Sequence, residues 1–207
     1  MKHLLRAILY ILCIGCVCSC SKENDNIPNL LTELCDVYIN RDSIAITATL
    51  DDGSVLNIAD QKMKASVRDT TIRSVVTYAQ EDGTVTVYGN TPAICKAAMS
   101  PEKFKSTPHD PVKLISVWKK GKYINLMFGE MTTGKGMHEY AFCMDSLKDR
   151  MLYVSFIHKQ PEHDAPSYTQ KRYASMPLTV HGTEAYDSIS LSIVTYDGTK
   201  TSPFGLN

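Results

Sequence analysis

The feature that most constrains the fold of this chain is a series of short segments in which apolar and polar residues alternate. The alternation is clearest from Ser188 to Ile193, and from Thr84 to Tyr88 it places valines on one face and threonines on the other. A period of two residues is typical of half-buried β-strands. Nothing after residue 29 carries the longer period of an extended amphipathic helix. The sequence therefore predicts an all-β protein.

Glycines that follow aspartates separate several of these segments. Asp52-Gly53, Asp82-Gly83 and Asp197-Gly198 each suit a tight turn, because glycine adopts positive φ without strain. Before residue 92 we predict five strands, over residues 34–40, 44–50, 55–58, 72–80 and 84–88. Residues 61–70 are predicted to form a loop or one short helix, and residues 93–99 a short helix or an extension of the fifth strand.

The second half of the chain is more regular. Strands are predicted over 112–118 and 123–128 as a hairpin, then over 138–144, 151–157, 172–180 and 188–193, with a loop over 158–171. In the hairpin's second strand, Ile124, Leu126 and Phe128 face one side and the intervening residues the other. Short strands of this kind indicate a β-sandwich. Three prolines between residues 100 and 111 predict a domain boundary there, giving domains over 30–105 and 106–207.

The N-terminus carries the marks of a lipoprotein signal. Lys2 and Arg6 precede an apolar run over residues 7–18, which ends in small residues before Cys20. The run is shorter than the roughly 20 residues of a membrane-spanning helix. We predict a cleaved signal peptide over 1–19, a lipid on Cys20 and a tether over 20–29. The expected location is the outer membrane, on its cell-surface or periplasmic face.

Charge argues against nucleic acid as a partner. The chain has 22 basic and 22 acidic residues, and only Lys2 and Arg6 leave with the signal, so 20 basic residues face 22 acidic ones. Nucleic-acid binding depends on a basic surface. The predicted partners are instead the membrane, through Cys20, and an envelope protein or a glycan.

Of the seven cysteines, only Cys35, Cys95 and Cys143 lie beyond the predicted anchor. Their spacing fits no metal motif. A bridge between Cys35 and Cys95 is one alternative in an oxidising compartment, and buried free thiols are the other.

Two segments resemble functional motifs. Residues 129–136 nearly match a phosphate-binding loop, but Gly136 stands where a serine or threonine should hold magnesium, and a strand rather than a helix is predicted next. His158 and His163 are five positions apart. Glu162 and Asp164 flank His163, and these imidazole and carboxylate groups could form a metal site in a loop. We favour the other interpretation, an exposed polar loop.

No catalytic residue, metal site or cofactor is predicted. The paired acids before glycines are explained by turn chemistry, and no Gly-x-Ser-x-Gly segment occurs. The candidate binding surface is the basic hairpin formed by Trp118, Lys119, Lys120 and Lys122. The alternative is a solvated hairpin tip with Trp118 in the core.

In their order along the chain, several segments resemble the NigD-like lipoproteins of Bacteroidetes. The segments are residues 50–56, 110–118 and 121–126, followed by the strands near His138 and over 152–158. The resemblance implies an N-terminal OB-like barrel followed by a C-terminal β-sandwich behind a lipoprotein signal. One departure is that Arg73 is kept while the glycine that usually precedes it is replaced by Ile72.

The family is named after a bacteriocin gene cluster, so the resemblance also implies a role related to immunity. We therefore expect a membrane-anchored, non-enzymatic binding protein of the cell envelope. The alternative is an accessory lipoprotein that binds glycans or polysaccharides.

Overall fold

The computed structural model describes residues 28–61, 65–81, 83–103, 109–161, 167–178 and 186–206. These residues form β-strands and one turn of 3-10 helix, Pro101–Lys103. The strands build a closed five-stranded barrel followed by a two-sheet sandwich. The prediction of an all-β protein with this architecture is confirmed. The predicted signal and Cys20 lie outside the described residues.

The barrel contains the first five strands, and its order is β1-β2-β3-β5-β4, closed by pairing of β4 with β1. All pairs are antiparallel except β3 with β5. The strands are β1 (Leu31–Ile39), β2 (Ala45–Leu50), β3 (Val55–Gln61), β4 (Thr70–Glu81) and β5 (Thr84–Pro92).

Alternate residues of the barrel strands point into a single core. Val85 and Val87 of β5 are buried, which confirms the apolar face predicted for this strand. Irregularities in register at Tyr38/Ile39 and at Thr77/Tyr78 bend the sheet and help it to close. The buried core residues are Cys35, Val37, Ile39, Ala45, Ala48, Val76, Tyr78, Val85 and Val87.

The segment after the barrel forms two very short strands. β6 (Ile94–Cys95) pairs with one sheet of the sandwich and β7 (Ala98–Met99) with the other. The expectation of a short helix or a longer fifth strand over residues 93–99 is therefore wrong. Parallel pairing with two different sheets stabilises an extended backbone in this segment, and this tertiary contact overrides local helix propensity.

The sandwich contains two sheets, in the orders β14-β13-β11-β10-β7 and β6-β12-β9-β8. Its remaining strands are β8 (Lys113–Lys120), β9 (Tyr123–Thr132), β10 (Glu139–Lys148), β11 (Met151–Lys159), β12 (Tyr168–Pro177), β13 (Ser188–Thr195) and β14 (Gly198–Gly205).

The two faces of β9 have different roles, as the alternation predicted. Ile124, Leu126 and Phe128 are fully buried in the sandwich core. Tyr123 and Asn125 lie on the opposite face and make hydrogen bonds to residues of the barrel. The sheet that contains β9 therefore separates the sandwich core from the barrel.

The loop predicted over residues 158–171 is shorter than expected. β11 continues through Lys159 because His158 still pairs with Tyr140 of β10. β12 begins at Tyr168, which pairs with Thr132 of β9. The assignment of His158 to an exposed loop is wrong, since its side chain is buried.

The hairpin between β8 and β9 contacts the barrel closely at Gly121. A Cβ atom on this residue would lie 2.1 Å from the carbonyl oxygen of Asp51, and its φ is +55°. A glycine is therefore required here both by the space and by the backbone. The turn between β2 and β3 and the β8–β9 hairpin form part of one interface.

Candidate functional site

A buried polar cluster joins the barrel to the sandwich, and we call it the interdomain network. Its members come from β1, β4 and the β2–β3 turn on one side, and from β9 and β12 on the other. The members are Asp36, Asp51, Arg73, Tyr123, Asn125 and Ser175.

Arg73 is the centre of this network, and its side chain is 1% exposed. Its Nη2 atom donates to Asp51 Oδ2 at 2.8 Å and to Asn125 Oδ1 at 3.2 Å. Its Nε atom donates to Ser175 Oγ at 3.2 Å, and Nη1 lies 3.4 Å from Asp36 Oδ1. One guanidinium group thus binds two carboxylates of the barrel and two polar side chains of the sandwich.

Tyr123 and Lys122 complete the contacts around Arg73 and Asp36, and Lys122 supplies the second positive charge. The guanidinium carbon of Arg73 lies 4.0 Å from the centre of the Tyr123 ring, whose hydroxyl donates to Asp36 at 3.0 Å. Burial, and then the nearby Asp36 carboxylate, raise the pKa of Tyr123, so the phenol remains neutral. Lys122 Nζ lies 3.0 Å from Asp36 Oδ2. The two cations offset the two carboxylates, as buried charges require.

A second polar cluster lies at one end of the sandwich, and we call it the histidine cluster. It consists of Glu130, His138, Tyr140, His158 and Arg172. Arg172 Nε donates to Glu130 Oε1 at 2.8 Å, and the Tyr140 hydroxyl donates to Glu130 Oε2. Glu130 has no exposed side-chain surface. Its ion pair with Arg172 explains how this carboxylate is tolerated in the interior.

The two histidines bind each other directly. His138 Nδ1 lies 2.9 Å from His158 Nε2, and His158 Nδ1 lies 3.3 Å from the carbonyl oxygen of Asp110. A carbonyl only accepts, so His158 carries its proton on Nδ1 and accepts at Nε2 from His138. Burial lowers the pKa of His158, and the neighbouring His138 lowers it further. Both effects favour the neutral imidazole.

A cleft of about 730 Å³ opens between barrel and sandwich beside the histidine cluster. Its walls include Thr91 and Pro92 of the barrel, together with residues of β10, β12 and the β9–β10 connection. Those that carry its chemistry are His138, Tyr140, Tyr168, Lys171, Arg172 and Tyr173. The described lining includes lysine, arginine and histidine but no aspartate or glutamate, so the cleft suits a group with negative charge.

The glycine-rich segment over residues 129–136 forms one rim of this cleft. It leaves β9 and enters β10, so a strand follows it, as predicted. Gly134 and Gly136 both have positive φ, at +76° and +83°. A Cβ on Gly134 would lie 2.7 Å from the Tyr168 hydroxyl. Gly134 therefore lies close to Tyr168 and Gly136 close to Pro161, and neither glycine opens a helix.

The predicted binding hairpin lies elsewhere. Trp118 and Lys119 are half-buried on β8, whereas Lys120 and Lys122 are exposed. Trp118 pairs in register with Asn125 of the interdomain network, and Lys122 is paired with Asp36. Among the described residues that line the cleft, none belongs to this hairpin.

The cysteines that the structure describes are free thiols, so no bridge joins Cys35 to Cys95. Cys35 is buried in the barrel core, and burial raises its pKa to about 12. Burial likewise raises the pKa of Cys143 to about 11. Both behave as small core residues. His163, the other half of the predicted loop metal site, lies outside the described residues.

The closed barrel and the β-sandwich, which the interdomain network connects, place this chain among two-domain all-β proteins. The model of the NigD-like C-terminal beta sandwich domain matches residues 96–205. This chain belongs to that family, as the resemblance in sequence implied.

Solved structures share the whole architecture. A NigD-like immunity protein from Bacteroides caccae is 19% identical with a TM-score of 0.71, and the match covers 87% of this chain and 99% of that one. A protein of unknown function from Bacteroides vulgatus is 13% identical with a TM-score of 0.67, covering 86% and 90%. At these identities the likeness establishes the fold.

No curated protein matches the chain. Within the described ranges, the structure contains no helix with the length and apolar character needed to cross a bilayer.

Proposed function

We propose that this chain is a non-enzymatic binding protein of the cell envelope, anchored by a lipid on Cys20, and that it recognises an envelope protein through the cleft. The cleft is the observation that carries this proposal. Its volume of about 730 Å³ falls within the roughly 300–1,000 Å³ typical of ligand pockets. It lies between the barrel and the sandwich, which the interdomain network connects through buried hydrogen bonds.

The chemistry of the lining supports binding to an acidic group. Lys171 is exposed, and the Arg172 side chain is 40% exposed although its Nε is paired with Glu130. Tyr168 is 48% exposed. Tyrosine and arginine are enriched among residues that dominate binding energy, and both combine a large contact area with hydrogen-bonding groups. A partner with a carboxylate against Lys171 and an apolar surface on Tyr168 would bind to both of these residues.

The polar groups beside the cleft are poorly suited to acid–base catalysis. Both ring nitrogens of His158 are already hydrogen-bonded. Burial and the Glu130 carboxylate raise the pKa of Tyr140, which keeps its phenol protonated. A general base needs a free lone pair facing its substrate, and these two residues do not offer one. This supports a binding role.

Bacteriocin immunity is one version of such a role. The solved relative from Bacteroides caccae is named as a NigD-like immunity protein. In this version the partner in the envelope is a toxin or the component that the toxin targets. An acidic segment of that partner would then bind in the cleft.

Cross-linking in intact cells tests the proposal. We expect the native chain to recover a stoichiometric protein partner, identified by mass spectrometry. Lys171→Glu should reduce recovery at least tenfold, because it reverses the charge of an exposed residue in the cleft. Lys200→Glu is the matched control, since Lys200 is exposed on β14 of the other sheet. Its recovery should equal that of the native chain.

Two outcomes would contradict this assignment. Equal recovery with Lys171→Glu would place the binding surface outside the cleft. Absence of any protein partner would favour the second candidate, a glycan-binding accessory protein, for which the tyrosines Tyr168 and Tyr173 in the cleft are the supporting observation. A soluble acidic glycan should then bind the native chain and lose affinity in Tyr168→Ala.

The anchor is tested separately. Cells grown with a labelled fatty acid should incorporate it into the native chain, and Cys20→Ser should lose the label because the acceptor sulfur is absent. Cys18→Ser serves as the control and should keep it. A label that persists in Cys20→Ser would assign the lipid to another residue.

A further inference from the structure

The histidine cluster contains three side chains that could share one metal ion. Glu130, His138 and His158 each offer one donor atom, and these atoms lie within 4.8 Å of one another. We propose that these three side chains bind a divalent transition-metal ion of the zinc class. This inference is independent of the proposed partner, because it concerns the metal alone.

The fold brings the donors together from both sheets of the sandwich. Glu130 lies near the end of β9, in the four-stranded sheet, and His158 near the end of β11, in the five-stranded sheet. His138 immediately precedes β10, after the turns at Gly134 and Gly136 have carried the chain from one sheet to the other. The site therefore lies where the two sheets meet beside the cleft.

A hydrogen bond at the Nδ1 atom of His158 orients this residue as a metal ligand. Its Nδ1–H donates to the Asp110 carbonyl oxygen at 3.3 Å, which leaves the Nε2 lone pair directed at His138. Metal-bound histidines commonly donate their second ring N–H to a carbonyl in this way, because the contact fixes both tautomer and orientation. The rings of His138 and His158 are nearly parallel, with 4° between their planes.

The ion would replace the hydrogen bond between the two rings. His138 then carries its proton on Nε2 and presents Nδ1 to the metal, so the number of bound protons does not change. Two nitrogens on one tetrahedral zinc ion lie about 3.3 Å apart, since each bond is about 2.0–2.1 Å. The observed separation is 2.9 Å. The two nitrogens need to separate by a few tenths of an ångström, and both rings need to turn so that these nitrogens, which face each other across the hydrogen bond, point at one ion.

Glu130 is held in place by contacts that can remain when the metal binds. Arg172 occupies Oε1, and Tyr140 donates to Oε2. Each carboxylate oxygen has two lone pairs, so Oε2 can accept from Tyr140 and bind an ion. Oε2 already lies 3.9 Å from His138 Nδ1. Two imidazoles and one carboxylate form a common ligand set for zinc that leaves a fourth position for water or an anion.

The cleft supplies a route for the ion. His138, Tyr140 and Arg172 all line it, whereas Glu130 and His158 lie behind them, almost without exposed surface. An ion bound between these residues would add positive charge to the wall of the cleft. A vacant coordination position would then be open to an anionic group that enters the cleft.

The test uses the chain from Cys20→Ser, purified, stripped of metal with a chelator and titrated with zinc chloride. At a free zinc concentration 100 times the dissociation constant, we expect the melting temperature to rise by about 5–10 °C. His138→Gln should weaken zinc affinity at least tenfold. His109→Gln is the matched control, because His109 is exposed and outside the cluster, and it should bind zinc like the native chain.

A second measurement needs no substitution in the histidine cluster, so its result does not depend on whether a variant folds. X-ray absorption of the zinc-loaded protein should count two imidazole nitrogens and at least one carboxylate oxygen around the ion. Fewer than two imidazoles, or no change in melting temperature, would overturn the proposal and leave the cluster as a structural hydrogen-bond network. A response that is lost in His163→Gln but kept in His138→Gln would also overturn it, and would assign the metal to a site that includes His163.

Discussion

Replacing Arg73 with methionine should lower the free energy of unfolding by about 3–5 kcal/mol, the typical effect of removing one partner from a buried ion pair. The variant leaves the Asp51 carboxylate, whose side chain is only 3% exposed, without its cation. It also removes the donor that Asn125 and Ser175 share. Urea denaturation followed by circular dichroism measures the effect.

The exposed pair of Arg41 and Asp69 provides the matched control. Their side chains are 87% and 52% exposed, and the Nε–Oδ2 distance is 3.2 Å. Arg41→Met should change stability by less than about 1 kcal/mol, because solvent screens such pairs. Asp51→Asn added to Arg73→Met should recover part of the loss, since it removes the unpaired charge. Equal effects of Arg73→Met and Arg41→Met would mean that the interdomain network contributes no stability.

Replacing Phe128 with alanine should cost about 3–5 kcal/mol, the usual range for a buried aromatic residue. Phe128 is fully buried, and its ring centre lies 5.2 Å from that of Phe156 and 5.9 Å from that of Tyr140. The substitution removes these contacts and opens a cavity directly beneath the histidine cluster. Thermal and urea denaturation together measure the loss.

Two further substitutions define the scale of that effect. Phe128→Leu keeps most of the apolar volume and should cost clearly less than Phe128→Ala. Ile115→Ala is a control on β8, where the side chain is 46% exposed, and should cost about 1 kcal/mol or less. A loss below about 1 kcal/mol in Phe128→Ala would show that Tyr140 and Phe156 move to fill the space.

Local patterns in the sequence predicted the elements that depend on local chemistry. The alternation in β9 correctly separated the core residues Ile124, Leu126 and Phe128 from Tyr123 and Asn125. The Asp-Gly pairs correctly placed turns, and Gly53 has φ +91° and Gly198 φ +97°. These features follow from strand geometry and from the conformational freedom of glycine, which act over a few residues.

The polar clusters were not predicted, because they join residues far apart in the chain. Arg73 and Ser175 are 102 positions apart, and no local pattern connects them. The sequence does contain a signal for Glu130, because it is a charged residue within a strand that is otherwise almost continuously buried. Such a residue requires a partner, but the sequence does not identify Arg172 and Tyr140 as the residues that provide it. The assignment of His158 to a loop was wrong for the same reason, because the local sequence does not show that His158 pairs with Tyr140 of β10.

The pairing of β6 with one sheet and β7 with the other bears on how this architecture can be inherited. The segment leaving the barrel supplies an edge strand to each half of the sandwich. A recombination event that exchanged barrels would therefore have to join the chains before Ile94, or the sandwich would lose both strands and present two bare sheet edges of the kind that promote aggregation. The segment that follows the barrel in sequence therefore belongs to the sandwich in structure.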